Sequence, residues 1–233
     1  MLSLFYENPM LALLVAVFLI FSIILHELAH GAVAYACGDD TARINGRLTL
    51  NPIAHFDLIG FFMLVTVGFG YAKPVPVNPT NFKNHKKGSF LVSIAGVTVN
   101  LILSFLFLGL YFLLITMVTK LPAEGFAAYL SEYFALAFYY TSLCNLTLCF
   151  FNLLPLYPLD GFRLIESLTK YMNPIVRFLR NYGSMILLAL FGVHLIADVF
   201  NLPIFLDPLS LYFRYTAELV FNGFFKIFLW IFV

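Results

Sequence analysis

Residues 9–31, PMLALLVAVFLIFSIILHELAHG, decide how the rest of the chain is read. The part from 9 to 25 carries no charge, and the apolar run passes straight into His26, Glu27 and His30. Pro9 suits the first turn of a helix. Gly38 followed by Asp39 and Asp40 supplies a stop, so one helix over about 9–37 is expected. On such a helix the two imidazoles, four positions apart, share one face and lie one turn from each other. This is the HExxH arrangement, in which two histidines hold a zinc ion and the glutamate between them serves as general base. The motif alone fixes only three residues. Its setting adds the weight, because an ionisable side chain inside a spanning helix is costly and marks function.

Composition supports that setting. The chain has 233 residues, of which 62% are hydrophobic and 11% charged, where a soluble domain carries about a quarter charged residues. Uncharged runs at 9–25, 89–119, 133–154 and 182–197 are too long and too numerous for soluble core helices. An all-α polytopic membrane protein in a lipid bilayer is expected, with its 28 Phe and 13 Tyr largely lipid-facing or interfacial. A net charge of +1 and the lack of a basic stripe with interleaved aromatics exclude a nucleic-acid partner. Cys37, Cys144 and Cys149 read as small hydrophobes rather than a disulfide framework. The first Lys or Arg is Arg43, so a cleavable leader is not expected and the first helix is retained.

About five spans are expected, at 9–37, 89–119, 131–154, 183–201 and 207–233. The last carries a polar stripe of Arg214, Glu218, Asn222 and Lys226. Between the first and second, Asn45-Gly46 predicts a type I′ β-hairpin. The apolar stretch 58–70 is short for a span and reads as a re-entrant element. The prolines of 71–81 forbid a helix. Between the third and fourth, Arg163, Glu166 and Lys170 mark an interfacial helix that Pro174 ends. If 58–70 does not cross, Arg43, Arg47, Lys73, Lys83, Lys86, Lys87, Arg163, Lys170, Arg177 and Arg180 share one side and only Lys120 the other. The N-terminus is then outside and the catalytic site opens toward the cytosol. His194 and Asp198 read as a hydrogen-bonded i, i+4 pair. His55, His85, Asp39, Asp40 and Asp57 read as solvated or turn residues.

A catalytic zinc needs a third protein ligand and an open position for water. Asp160 in NLLPLYPLDG (152–161) is the candidate, at the end of the third span, where Pro155 and Pro158 turn the acid back toward the bilayer interior. With these residues in hand the chain resembles the site-2 protease family of intramembrane zinc metalloproteases, in its compact prokaryotic branch without a PDZ domain. GDDTARINGRLTLNPIAHFDLIG, GFGYAKPVPVN and AGVTVN also resemble that branch, and the similarity covers about 20–165. The resemblance implies His26, His30 and Asp160 as ligands of one Zn²⁺ per chain, with Glu27 as general base. It implies that Asn152 contacts the substrate backbone or the oxyanion. Gly68 and Gly70 match a GxG re-entrant β-loop that pairs with substrate. Asn100 matches the Asn of a GPxxN pattern on the substrate side, with Val97 standing where the family commonly has proline.

One intramembrane metalloprotease domain over 1–233 is expected, with a catalytic core at about 9–165 and C-terminal helices at about 175–233. Its expected activity is hydrolysis of peptide bonds within or next to transmembrane segments of membrane-anchored substrates, in a prokaryotic inner membrane. A metal-transporting protein would show internal repeats or paired broken helices, and none is found. A proteolytically inactive scaffold has no need of the intact His, Glu, His and Asp set.

Overall fold

The computed structural model describes residues 8–55, 57–58, 60, 73–118, 125–169 and 173–232. Its main helices are α1 (Pro9–Ala36), α2 (His85–Val118), α3 (Phe126–Asn152), α4 (Asp160–Leu168), α5 (Pro174–Val199), α6 (Pro208–Tyr215) and α7 (Ala217–Phe232). Helices α1, α2, α3 and α5, and α6–α7 taken together, are long and apolar enough to cross a membrane, five in all. The protein is a multi-pass membrane protein.

Three of these helices begin with the same device. Asn8, Asn173 and Asp207 each accept a backbone N–H from the first turn, and each is followed by a proline at the first helical position. The cap satisfies an orphan donor, and the proline fixes φ without costing a hydrogen bond. Pro174 does not end the interfacial helix, which stops at Leu168. It opens α5 well before residue 183, the expected start.

Helix α2 runs through the middle of the bundle and packs on α1, α3, α4 and α7. Leu11, Val15 and Leu19 of α1 meet Ala137 of α3. Leu108 and Phe112 of α2 meet Leu146 of α3 and Phe221 and Phe228 of α7. Polar contacts join the same helices: Ser104 and Ser142 hydroxyls lie 3.1 Å apart, and Asn145 donates to Ser22 at 3.0 Å. Hydrogen bonds between small polar side chains are a usual means of joining helices in lipid. Arg214, Glu218, Asn222 and Lys226 are all exposed, so the polar stripe of the last segment is not packed against the bundle.

No β-strand occurs among the described residues, and the expected hairpin at Asn45-Gly46 is not formed. Thr41–Ile44 is a helical turn instead. Gly46 at φ +65° ends it, with Arg47 N–H on the Ala42 carbonyl and Gly46 N–H on the Arg43 carbonyl. That is a Schellman closure, which wants a left-handed residue just as a type I′ turn does. Asn-Gly serves both. The 58–70 element falls largely outside the described residues. The proline-rich stretch is extended over 73–78 as expected, then makes one 3-10 turn at Pro79–Asn81. His194 pairs with Asp207, 2.7 Å away, rather than with Asp198. This link ties α5 to the start of α6.

Candidate metal centre

Helix α1 brings His26 and His30 to one face with their Nε2 atoms 3.1 Å apart. Asp160 Oδ2 lies 3.0 Å from His30 Nε2 and 3.3 Å from His26 Nε2. All three residues are buried. Asp160 is not at the end of α3, as its sequence position suggested, but is the first residue of α4, after a compact turn over 153–159. Gly161 makes that turn possible. A Cβ there would sit 2.2 Å from the Leu153 carbonyl oxygen, so the glycine of LDG is required by close backbone approach.

The far side of each imidazole sets its chemistry. His30 Nδ1 is 2.7 Å from the Val92 carbonyl oxygen, which only accepts, so Nδ1 carries the proton and Nε2 presents a lone pair. His26 Nδ1 is 3.1 Å from Asn100 Nδ2, while the buried Asn100 Oδ1 has no partner. Asparagine O and N atoms are assigned rather than observed, and the reversed amide places Oδ1 on a His26 Nδ1–H. That orientation pairs Oδ1 with His26. Two bare Nε2 atoms and a carboxylate oxygen then face one another with sides of 3.0, 3.1 and 3.3 Å. Three acceptors this close repel one another unless a positive charge, a proton or a metal ion, lies between them. A tetrahedral zinc site with ligand lengths of about 2.0–2.1 Å has edges of about 3.3–3.4 Å, so the donor set fits zinc.

Helix α2 supplies the remaining wall. A Cβ on Gly96 would lie 2.4 Å from His30 Nε2 and 2.6 Å from His26 Nε2. The missing side chain leaves the space in front of the ligand nitrogens.

Glu27, next to His26, accepts the Val75 N–H at 2.9 Å. Val75 belongs to the extended segment 73–78, which reaches α1 only because Gly31 has no Cβ; one there would lie 2.9 Å from Val75 Cγ1. Asp39 ties the other end of the segment. It is fully buried and accepts the Asn78 N–H, the Asn81 amide, and the N–H and hydroxyl of Thr41. Burial pushes its carboxyl up, and the hydrogen bonds from Thr41, Asn78 and Asn81 outweigh that, leaving it below the ordinary carboxylate range. Reading Asp39 as a surface residue missed this. His55 is likewise buried, with Nε2 2.8 Å from the Thr49 carbonyl oxygen.

The remaining expected site residues divide. Asn100, expected to bind substrate, is 1% exposed and its amide lies 3.1 Å from His26 Nδ1, a contact that could orient that imidazole. Helix α2 passes Val97 unbroken. Asn152 is the last residue of α3 and donates to the Leu148 carbonyl at 3.1 Å. Among the described residues no hydrogen bond joins it to the histidines or Asp160. Gly68 and Gly70 lie outside the described residues. Gly96 and Asp39 were missed as functional positions. The signal for Gly96 was a glycine inside an otherwise helical pattern, which costs helix stability and asks for a packing reason.

The class that these features define is the zinc metallopeptidases, here in a multi-pass membrane protein. Comparison with known proteins agrees. The description "Peptidase family M50" matches residues 115–193, which include Asp160. Over 195 residues the chain is 43% identical to YwhC of Bacillus subtilis (strain 168), named as a zinc metalloprotease, covering 81% of this chain and 84% of that protein. Over 158 residues it is 31% identical to Rip2 of Mycolicibacterium smegmatis, also named as a zinc metalloprotease, covering 66% of this chain and 55% of that protein. No solved structure gives a significant match. The chain belongs to peptidase family M50, the site-2 protease family, and is a zinc metallopeptidase.

Proposed function

We propose that this chain is an intramembrane endopeptidase that cuts peptide bonds within or next to transmembrane segments of membrane-anchored substrates, as in regulated intramembrane proteolysis. The observation that carries the reading is the His26–His30–Asp160 triangle, buried between α1 and α4 beside Glu27. His26, His30 and Asp160 would hold the zinc. When bound, zinc supplies Lewis acidity, which lowers the pKa of a water to about 7 and polarises the scissile carbonyl.

Glu27 is the general base. Its bond from Val75 N–H holds the carboxylate in place, and it takes the proton of the attacking water and passes it to the leaving amine. Val92 and Asn100 keep the Nδ1 protons on His30 and His26, so both Nε2 lone pairs stay available. Asn152 spends one amide hydrogen on Leu148 and has a second to offer a substrate carbonyl or the oxyanion. Such a donor is commonly worth roughly 3–4 kcal/mol. The basic residues of 38–88 and 155–182 support a site that opens toward the cytosolic face. Bacterial relatives support a prokaryotic inner membrane.

The test is to incubate the purified protein with a single-span peptide and map the product termini by mass spectrometry. A cut inside or within a few residues of the hydrophobic stretch is expected. Cleavage of soluble peptides alone refutes the intramembrane reading.

A further inference from the structure

A cavity of about 970 Å³ opens where α2 and α5 begin. Among the residues that line it are Val75 and Val92. These are the residues whose backbone groups hold Glu27 and His30, so the cavity adjoins the metal centre. Lys86, Arg163, Arg177 and Arg180 line it against one carboxylate, Glu166. Glu166 is paired with Arg180. Lys86 and Arg163 are exposed and form no ion pair among the described residues.

Basic residues at the cytosolic end of spanning helices are ordinary. Here four of them surround a concave opening next to the proposed general base. A volume near the upper end of the range for ligand pockets is far larger than a phosphate group needs and suits a stretch of extended chain. The cytosolic flanks of most spanning segments are themselves basic. This cavity repels those flanks and selects the minority that carry acids.

Resting on the proteolytic reading above, we propose that the cavity binds an acidic flanking segment of the substrate, and so selects single-span proteins with Asp or Glu just cytosolic of the scissile span. Its geometry makes the flank a recognition element and leaves the hydrophobic stretch to the metal centre.

The test uses binding, so it does not depend on turnover. Glu27→Gln protein is placed in phosphatidylcholine nanodiscs and titrated with fluorescent single-span peptides whose cytosolic flanks are oligo-Glu, oligo-Gln or oligo-Lys. The acidic flank is expected to bind tighter than the basic one by on the order of tenfold, with the gap shrinking at high salt. The Lys86→Glu/Arg163→Glu variant should reverse the order while binding the Gln-flanked peptide as before. If that variant does not fold, Lys86→Gln/Arg163→Gln should flatten the preference.

Equal affinities for the three flanks, or a preference that survives these substitutions, would overturn the proposal. So would a preference seen only in discs containing phosphatidylglycerol, since the cavity would then hold a lipid headgroup. Failure of the wild type to cleave any of the peptides removes the proteolytic reading and leaves these affinities readable.

Discussion

Replacing Gly96 with alanine should weaken zinc binding without unfolding the protein. The added Cβ would lie 2.4 Å from His30 Nε2, 2.5 Å from His26 Cε1 and 2.6 Å from His26 Nε2. Ordinary contact begins at 3.4 Å, so the rings must retreat by about 1 Å. Helix α2 has little room to yield, because it is packed on α1, α3 and α4 at once. Metal sites tolerate errors of about 0.2 Å in ligand position. A displacement of about 1 Å costs on the order of a hundredfold in a positioned site, or about 2.7 kcal/mol. Alanine favours helix over glycine by about 1 kcal/mol, so the bundle itself is not weakened by helix propensity. Zinc affinity is read by competition with a fluorescent chelator, alongside thermal unfolding of the metal-free protein. An affinity loss of about a hundredfold with an unchanged or raised metal-free Tm is expected. Wild-type zinc affinity in Gly96→Ala would refute the placement of α2 against the ligands.

Asn100→Leu should weaken zinc binding by about 10–100-fold, the usual cost of losing the group that orients a ligating histidine. Asn100→Asp keeps an acceptor for His26 Nδ1–H and should retain most of that affinity; equal losses in the two variants would show that the hydrogen bond plays no part. Asp39→Ala leaves the Asn78 N–H without its acceptor and should destabilise the fold by about 2–4 kcal/mol, seen as a lower Tm at neutral pH. The folded Asp39 carboxyl lies below its unfolded value. Its contribution is therefore present above the unfolded pKa and lost as pH falls toward the folded one. Asp39→Asn should flatten the acid side of the stability profile, and an unchanged profile would contradict that.

The helical membrane architecture was legible because long uncharged runs have few other readings in water or lipid, and HELAHG with LDG pointed to three residues from two distant segments that the fold brings together. What could not be read was which polar residues face inward. Asp39 and His55 sit in sequence contexts that suit solvent as well as a buried turn, and only the return of segment 73–78 along α1 decides between them. Asn45-Gly46 failed for a related reason, since hairpin and helix closure ask the same backbone of the glycine. Asn100 was singled out from a spacing pattern, but such a pattern does not show that its amide lies 3.1 Å from His26 Nδ1. Gly96 and Gly161 matter through what their missing Cβ atoms would strike. Such contacts exist only in three dimensions.

The most direct test of the account is zinc content and cleavage measured on one preparation of Glu27→Gln, beside the wild type. With His26, His30 and Asp160 intact, about one zinc per chain is expected in both proteins. Cleavage of a single-span reporter is expected only in the wild type, with a loss of about 10²–10⁴-fold in the variant. Cleavage by Glu27→Gln at the wild-type rate, or cleavage by wild type that persists after zinc is stripped, would contradict it.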